Sequence, residues 1–275
     1  MRENLLASPG SPEVRVQEDL RLTRDGSIAT LVLNRPEKRN AITIEMWQAL
    51  PRILGDLETG DDARVVVIRG AGTEAFASGA DISEFERFRG TVAAARAYSA
   101  TVEAAERALA DFPRPTIAMI HGHCIGGGLE LALACDFRMS SRIARFGIAA
   151  ARLGIVYSLP ATRRLAGIVG PSHARDILLS ARLIEAEEAH RMGLVNVVCE
   201  PEALENVTYA YARLLAQQAP LSQRGAKLML QYMIGEGGVT ESDLAAVVEQ
   251  AYESRDYREG VQAFLEKRLP RFTGR

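Results

Sequence analysis

The residues best suited to chemistry lie in two short stretches built on one plan. The first, HGHCIGGGLELALACD over 121–136, runs Gly126-Gly127-Gly128 straight into an apolar, helix-like segment with one acid, Glu130, in its first turn. A helix N-terminus leaves backbone N–H groups unpaired and carries the positive end of the helix dipole. Glycines there let a ligand reach the bare backbone, so the stretch can bind an anion or a developing oxyanion. Taken alone it reads equally as a tight strand-to-helix turn whose glycines serve packing. No Gly-Lys-Ser/Thr follows, which excludes a phosphate loop, and the spacing completes no dinucleotide fingerprint.

The second stretch, EAFASGADISEF over 74–85, places Ser78-Gly79-Ala80 directly after the apolar run Val65–Ile68 and its closing Gly70. Two small-residue loops after two different strands can each supply one N–H to a shared oxygen, which is the geometry of an oxyanion hole. Glu130 then has two readings. It is an acid/base group at that site, or a carboxylate favouring a helix start by about 0.3–1 kcal/mol.

Both loops need strands to hold them. Ile28–Leu33 and Val65–Ile68 are short apolar runs, and Thr116–Ile120 is a third, set off from what precedes it by Pro113 and Pro115. A helix is predicted to open at Thr43 as its cap, and another over Val92–Phe112. Alternation of this kind predicts an α/β architecture. Beyond about residue 158 the pattern turns mainly helical: Ala161–Ile168, Ser172–Leu179, Leu204–Gln217 and two further segments from Leu221, interrupted by a strand at Leu194–Cys199.

Composition narrows the class. The 275 residues are 47% hydrophobic and 25% charged, a globular profile, with a formal net charge of −2. No overall field recruits nucleic acid or an anionic membrane, so any anion must be held locally. Cys124, Cys135 and Cys199 are odd in number and sit among apolar neighbours, as buried thiols of a reducing compartment do. No metal site is expected, since His121-x-His123 lacks partners. No apolar run reaches the length of a membrane span, and residues 1–13 have the Ser, Pro and Gly content of a mobile leader rather than a signal. A cytoplasmic protein is the expectation.

FASGAD followed by GGGLELALACD resembles the crotonase (enoyl-CoA hydratase/isomerase) superfamily. NRPEKRNAI at 34–42, RLGI at 152–155, MGLV at 192–195 and YREGVQAFLEKR at 257–268 extend the resemblance, in order, from about residue 14 to the C-terminus. It implies a spiral of ββα turns over 14–200 and a helical oligomerisation region over 201–275, assembled as a trimer or a pair of trimers. It further implies an acyl-CoA thioester substrate, no permanently bound cofactor, and coenzyme A as part of the substrate. The thioester carbonyl is expected to meet the N–H groups of Ser78 and Gly127, with Glu130 as acid/base. Coenzyme A is expected against Ala80 and Ile82, its phosphates near Lys38 and Arg39, and a neighbouring subunit's Phe264 and Lys267.

The sequence departs from that family at one decisive place. Hydratases carry a second glutamate four residues before the glycine that is Gly154 here, and position 150 is Ala. Tyr157, three residues after that glycine, resembles a functional tyrosine of the methylmalonyl-CoA decarboxylase branch. The histidine of that branch, however, is Ala80 here. An enolate-forming hydratase or isomerase is the first expectation. A decarboxylase or C–C lyase using Tyr157 or Glu130 as proton donor is the second, and a non-catalytic acyl-CoA-binding homologue the third. Glu84 or Glu86 entering the site would be one way to restore a second carboxylate.

Overall fold

The computed structural model describes residues 14–60 and 63–275. The leader expected over 1–13 lies outside the described residues. Among the described residues, eleven strands form two sheets. The larger contains β1 (Val14–Gln17), β2 (Leu20–Asp25), β3 (Ile28–Leu33), β4 (Val65–Gly70), β6 (Thr116–Ile120), β8 (Phe137–Ser141) and β11 (Val197–Cys199), in that order. The smaller runs β10 (Ile184–Glu185), β9 (Arg145–Gly147), β7 (His123–Ile125), β5 (Ala75–Ala77). From β3 to β11 the large sheet is parallel, and β5, β7 and β9 are parallel to one another.

The chain therefore repeats one unit: a large-sheet strand, a small-sheet strand, then helix. Helix α1 (Ile44–Gly60) connects β3 to β4; α2 (Phe85–Arg89) and α3 (Val92–Ala110) follow β5; α4 (Gly127–Ala134) follows β7. After β9 come α5 (Ala150–Leu153) and α6 (Leu159–Ser180), and α7 (Ala186–Arg191) follows β10. This is the spiral of ββα turns expected from the motifs. Four helices close the chain: α8 (Leu204–Ala216), α9 (Pro220–Ile234), α10 (Glu241–Glu253) and α11 (Arg255–Leu265).

β4 explains why VVVI is apolar throughout. Val66 and Ile68 join the main core with Trp47, Phe76 and Leu129, while Val65 and Val67 face a second core built with Met119, Leu204 and Ala212. A parallel strand covered on both faces has no solvent side on which to place polar residues. Each fully buried aliphatic side chain contributes about 1.5–3 kcal/mol. Asp136, at the end of the ALACD run, ties this frame to the C-terminal helices. It accepts from the Thr116 N–H at 2.8 Å and from Lys227 Nζ of α9 at 2.7 Å.

Two boundaries differ from the sequence reading. The strand expected at 194–199 forms only from Val197, because Leu194 and Val195 are spent on a turn whose N–H groups bond the Ala189 carbonyl. The helical segments expected at Ala161–Ile168 and Ser172–Leu179 are both present, parted within α6 where Gly170 leaves helical geometry at φ +76° ahead of Pro171. After Leu221 there are three helices, not two. Thr240 opens α10 in a capping box with Asp243, and Ser254 caps α11.

The placement of α4 depends on Gly128. A Cβ there would lie 2.4 Å from the Ala77 carbonyl oxygen and 2.8 Å from the Ala77 Cβ, so α4 sits closer to β5 than any side chain allows. Gly128→Ala is expected to destabilise the protein by about 1–3 kcal/mol, as overpacking does, read as a lowered denaturation midpoint. An unchanged midpoint would show that α4 is free to shift.

Candidate active site

Strands β5 and β7 pair in parallel, so the loops leaving their C-terminal ends lie side by side. The loop after β5 is backed by the 35–42 segment. The Ser78 N–H donates to the Arg39 carbonyl (3.0 Å), Ile42 N–H to Gly79 O (2.8 Å) and Asp81 N–H to Ile42 O (3.0 Å), while Arg35 pairs with Asp81 at 2.9 Å. The N–H of Ser78 is thus committed to backbone. The donor role expected of it is incompatible with that bond, and the Ala80 N is the loop nitrogen that lies near Gly127 at the start of α4.

Gly126 takes φ +52° and its N–H donates to Gly147 O at 2.9 Å, which turns the chain sharply into α4. At Gly127 the backbone lies against the residues of the site. The point where its Cβ would stand is 3.5 Å from the Ala80 N, 3.6 Å from Glu130 Oε2 and 3.3 Å from the edge of the Trp47 ring. Gly127, Ala80, Glu130 and Trp47 thus meet at one place.

This point opens into a cavity of about 280 Å³ lined by both loops, by α2 and α3, and by the 148–158 segment. Glu130 and Tyr157 face it together. Burial pushes the Glu130 carboxyl up to about 7, opposed by the charge of Arg89 and by the Tyr157 hydroxyl beside it. Burial likewise pushes the Tyr157 phenol well above its ordinary range, and the Glu130 charge adds to that. The phenol and carboxyl interact without a hydrogen bond of good geometry. The buried Tyr157 hydroxyl has no partner among the described residues.

Behind Glu130 stands a second acid that belongs to no motif. Glu106 of α3 is only 1% exposed and pairs with Arg164 of α6 at 3.3 Å, leaving Oε1 without a partner. Arg164 also makes an ion pair with Glu236 at 3.2 Å, off the angle of a hydrogen bond. Burial first, and the Glu130 charge second, push Glu106 up to about 8. Its sequence signal is positional. Tyr98, Val102, Ala105 and Leu109 form the buried stripe of α3, and Glu106 falls on the same face. Arg89, Tyr98, Glu103 and Trp47 also line the cavity and were equally invisible to motif reading.

The other expected site residues divide by location. Ala80 and Ile82 line the cavity, Ile82 being largely exposed at its mouth. Lys38 and Arg39 are exposed beside the Ser78 loop, which rests on their carbonyls. Phe264 belongs to a separate apolar groove on α9–α11, and Lys267 follows α11; neither lines the cavity that holds Glu130. Ala150 lines the cavity, so the lost carboxylate would have faced Glu130. Glu84 does not replace it, because its Oε2 accepts the Ile44 N–H at 2.9 Å at the start of α1, and Glu86 is exposed. His123 is not among the lining residues, and Cys124 and Cys135 are core. Among the described residues no group of three His, Cys, Asp or Glu side chains gathers to hold a metal, and no helix is long and apolar enough to cross a membrane.

The buried acid pair predicts a pH dependence of stability. Both carboxyls stand above their ordinary value of 4.5, at about 7 and about 8, so between those limits the folded chain holds more protons than the unfolded one. Stability contributed by the pair is present at low pH and is lost as pH rises through that window. Glu106→Gln removes one of the two acids. Its urea midpoint is expected to fall less between pH 5 and pH 8 than that of the parent, and an equal fall would refute the pairing.

Comparison with known proteins identifies the family and the fold. The family model described as enoyl-CoA hydratase/isomerase matches residues 23–275. A short-chain-enoyl-CoA hydratase of Clostridium acetobutylicum is 32% identical over 90% of this chain and 94% of its own length. A putative enoyl-CoA hydratase of Thermus thermophilus is 38% identical over 90% of this chain and 98% of its own. The crystal structure of an enoyl-CoA hydratase/carnithine racemase from Magnetospirillum magneticum superposes with a TM-score of 0.89 at 36% identity, covering 96% of this chain and 97% of that one. The chain belongs to the enoyl-CoA hydratase/isomerase family, within the crotonase superfamily.

Proposed function

We propose that this chain is an acyl-CoA thioester enzyme that works through an enolate held between the N–H groups of Ala80 and Gly127, with Glu130 as its acid/base. The single observation that carries the reading is that Ala80, Gly127 and Glu130 line one cavity and meet there. A Cβ on Gly127 would stand about equally far from the Ala80 N (3.5 Å) and from Glu130 Oε2 (3.6 Å). Family membership supports the thioester, since the relatives are named for enoyl-CoA chemistry.

A thioester carbonyl bound in this cavity gains negative charge on its oxygen as the enolate forms. Donors fixed by the fold stabilise that charge without reorganising, and removing one typically costs about 2.7–4 kcal/mol of transition-state stabilisation. In hydration, Glu130 takes a proton from water, the oxygen adds to the β-carbon, and the double-bond pair moves to the thioester oxygen. Protonation of the α-carbon then completes the step. A carboxyl near 7 is balanced between giving and taking a proton at neutral pH. Lys38 and Arg39 are the proposed phosphate contacts of coenzyme A, with its adenine against Ala80 and Ile82.

A second reading is favoured by Tyr157, whose buried hydroxyl faces Glu130 without a hydrogen bond. In decarboxylation of a malonyl-type thioester, the bond to the carboxylate breaks, carbon dioxide leaves, and the electron pair enters the enolate. Tyr157 or Glu130 returns the proton. This needs no second carboxylate.

For assembly we infer a trimer or a pair of trimers. Phe264 is 83% exposed and lines an apolar groove of about 800 Å³ on the C-terminal helices. Such a surface is what an interface buries. Phe264 and Lys267 would then reach the coenzyme A of a neighbouring subunit.

A panel of enoyl- and malonyl-type thioesters with product analysis tests the reaction. Glu130→Gln is expected to lower turnover by about 10²–10⁴-fold, and undiminished turnover would overturn its role. Ala150→Glu is expected to raise crotonyl-CoA hydration if the missing carboxylate limits the parent. A light-scattering mass equal to one chain would refute the assembly.

A further inference from the structure

Position 150 gives the cavity no carboxylate, yet Glu130 is not the only acid on its wall. Glu103 of α3 lines the same cavity. Ser99 and Glu103 are four residues apart and so share one face of α3, and both belong to the lining with Tyr98 and Val102. Glu106, three residues on, continues that face but is fully buried and off the wall.

The Glu103 side chain is uncommitted. It accepts no hydrogen bond and forms no ion pair among the described residues, although Arg107 lies one turn along the helix and Arg89 shares the cavity. Glu103 and Glu130 are both half-buried, and neither has an oxygen among the fully buried polar atoms that lack a partner. Both carboxyl groups therefore keep surface that a water molecule can reach.

This placement costs the fold stability. Burial is the main cause that raises Glu130 and Glu106, and the Glu103 charge adds to the rise at both. Like charges brought together disfavour ionisation, and no bond made by Glu103 offsets that. The other groups acting on Glu130 are Arg89 of α2, Glu106 of α3, Tyr157 beyond α5 and Arg164 of α6. None of these is a carboxylate on the cavity wall. An unpaired acid that disfavours its neighbours inside a cleft suits a working group rather than a structural one.

Water adding to the β-carbon of an enoyl thioester has two O–H bonds to place. One proton leaves, and the other stays on the oxygen and still needs an acceptor. Holding both hydrogens aims the oxygen lone pair at the β-carbon.

We infer that Glu103 is a further catalytic residue, the carboxylate that accepts the second O–H of the attacking water and holds its lone pair toward the β-carbon. Glu130 takes the first proton, the C–O bond forms, and the double-bond pair moves onto the thioester oxygen. The pair then returns from the enolate to the α-carbon, which takes that proton back from Glu130. The hydrogen held by Glu103 remains on the new hydroxyl. The inference rests on the thioester reading above and selects hydration of an enoyl thioester over decarboxylation.

Steady-state hydration of crotonyl-CoA by the full chain tests this. Glu103→Gln is expected to lower kcat by about 10²-fold, with KM little changed. Its melting temperature should be no lower than that of the parent, since a repelling charge is removed. Adding Ala150→Glu to Glu103→Gln should recover about tenfold in kcat by returning a carboxylate to the same cavity. In the parent, Ala150→Glu should gain little, and a large gain there would overturn the inference.

Undiminished kcat in Glu103→Gln would also overturn it. So would a loss of activity accompanied by a lowered melting temperature, which would make Glu103 structural. An active Glu103→Gln beside an inactive Glu130→Gln would remove Glu103 and keep the enolate reading. A parent that decarboxylates a malonyl-type thioester but hydrates no enoyl thioester would do the same. A parent that turns over neither would remove both.

Discussion

The approach of α4 to β5, permitted by Gly128 against Ala77, is the contact on which the site depends. Parallel pairing of β5 with β7 sets the two loops side by side, but pairing alone fixes only their direction. The missing side chain at 128 lets the helix start close against the neighbouring strand. The Gly127 backbone and the Ala80 N then lie close together on the wall of one cavity. The three glycines thus carry different loads: a left-handed turn at 126, a close approach to Ala80, Glu130 and Trp47 at 127 and a packing contact with Ala77 at 128.

Electrostatics around Glu130 follow from the same burial. A helix start ordinarily favours an ionised acid by about 0.3–1 kcal/mol, but desolvation outweighs that here and holds the carboxyl near 7. Glu106 behind it and Arg164 behind that form a chain of alternating charge from α3 through α6 to Glu236. With Ala at 150, the fully buried acid near Glu130 is Glu106, which does not line the cavity. Glu103, which does line it, is only half-buried, and the proposed chemistry centres on an enolate and a single acid/base group.

The C-terminal helices stand in a different relation to the site. Within one chain, α9 is fastened to the frame through Lys227 and Asp136, and α9–α11 present their own apolar groove. Phe264 and Lys267 are separated from the cavity that holds Glu130, so any part they play in binding coenzyme A requires another copy of the chain.

Much of this was legible in the residues. The strands at 28–33 and 116–120, the cap at Thr43 and the spiral order follow from apolar runs, turn residues and motif order, because these are local signals. Glu130 was legible because its charge stands out in an apolar helix. That the Ser78 N–H is already bonded was not, since its acceptor is the Arg39 carbonyl, a bond between segments 39 residues apart. Glu106 read as one more polar residue of an amphipathic helix until packing buried it. Trp47, Arg89 and Tyr98 carry no motif at all; only the folding of α1, α2 and α3 around one cavity brings them together. The sequence by itself determined the family, the frame and the one acid that stands out at the start of α4. The tertiary structure decided that the Ser78 N–H is consumed and that burial lifts Glu130 and Glu106 above their ordinary range, because each depends on desolvation and on contacts between residues distant in the chain.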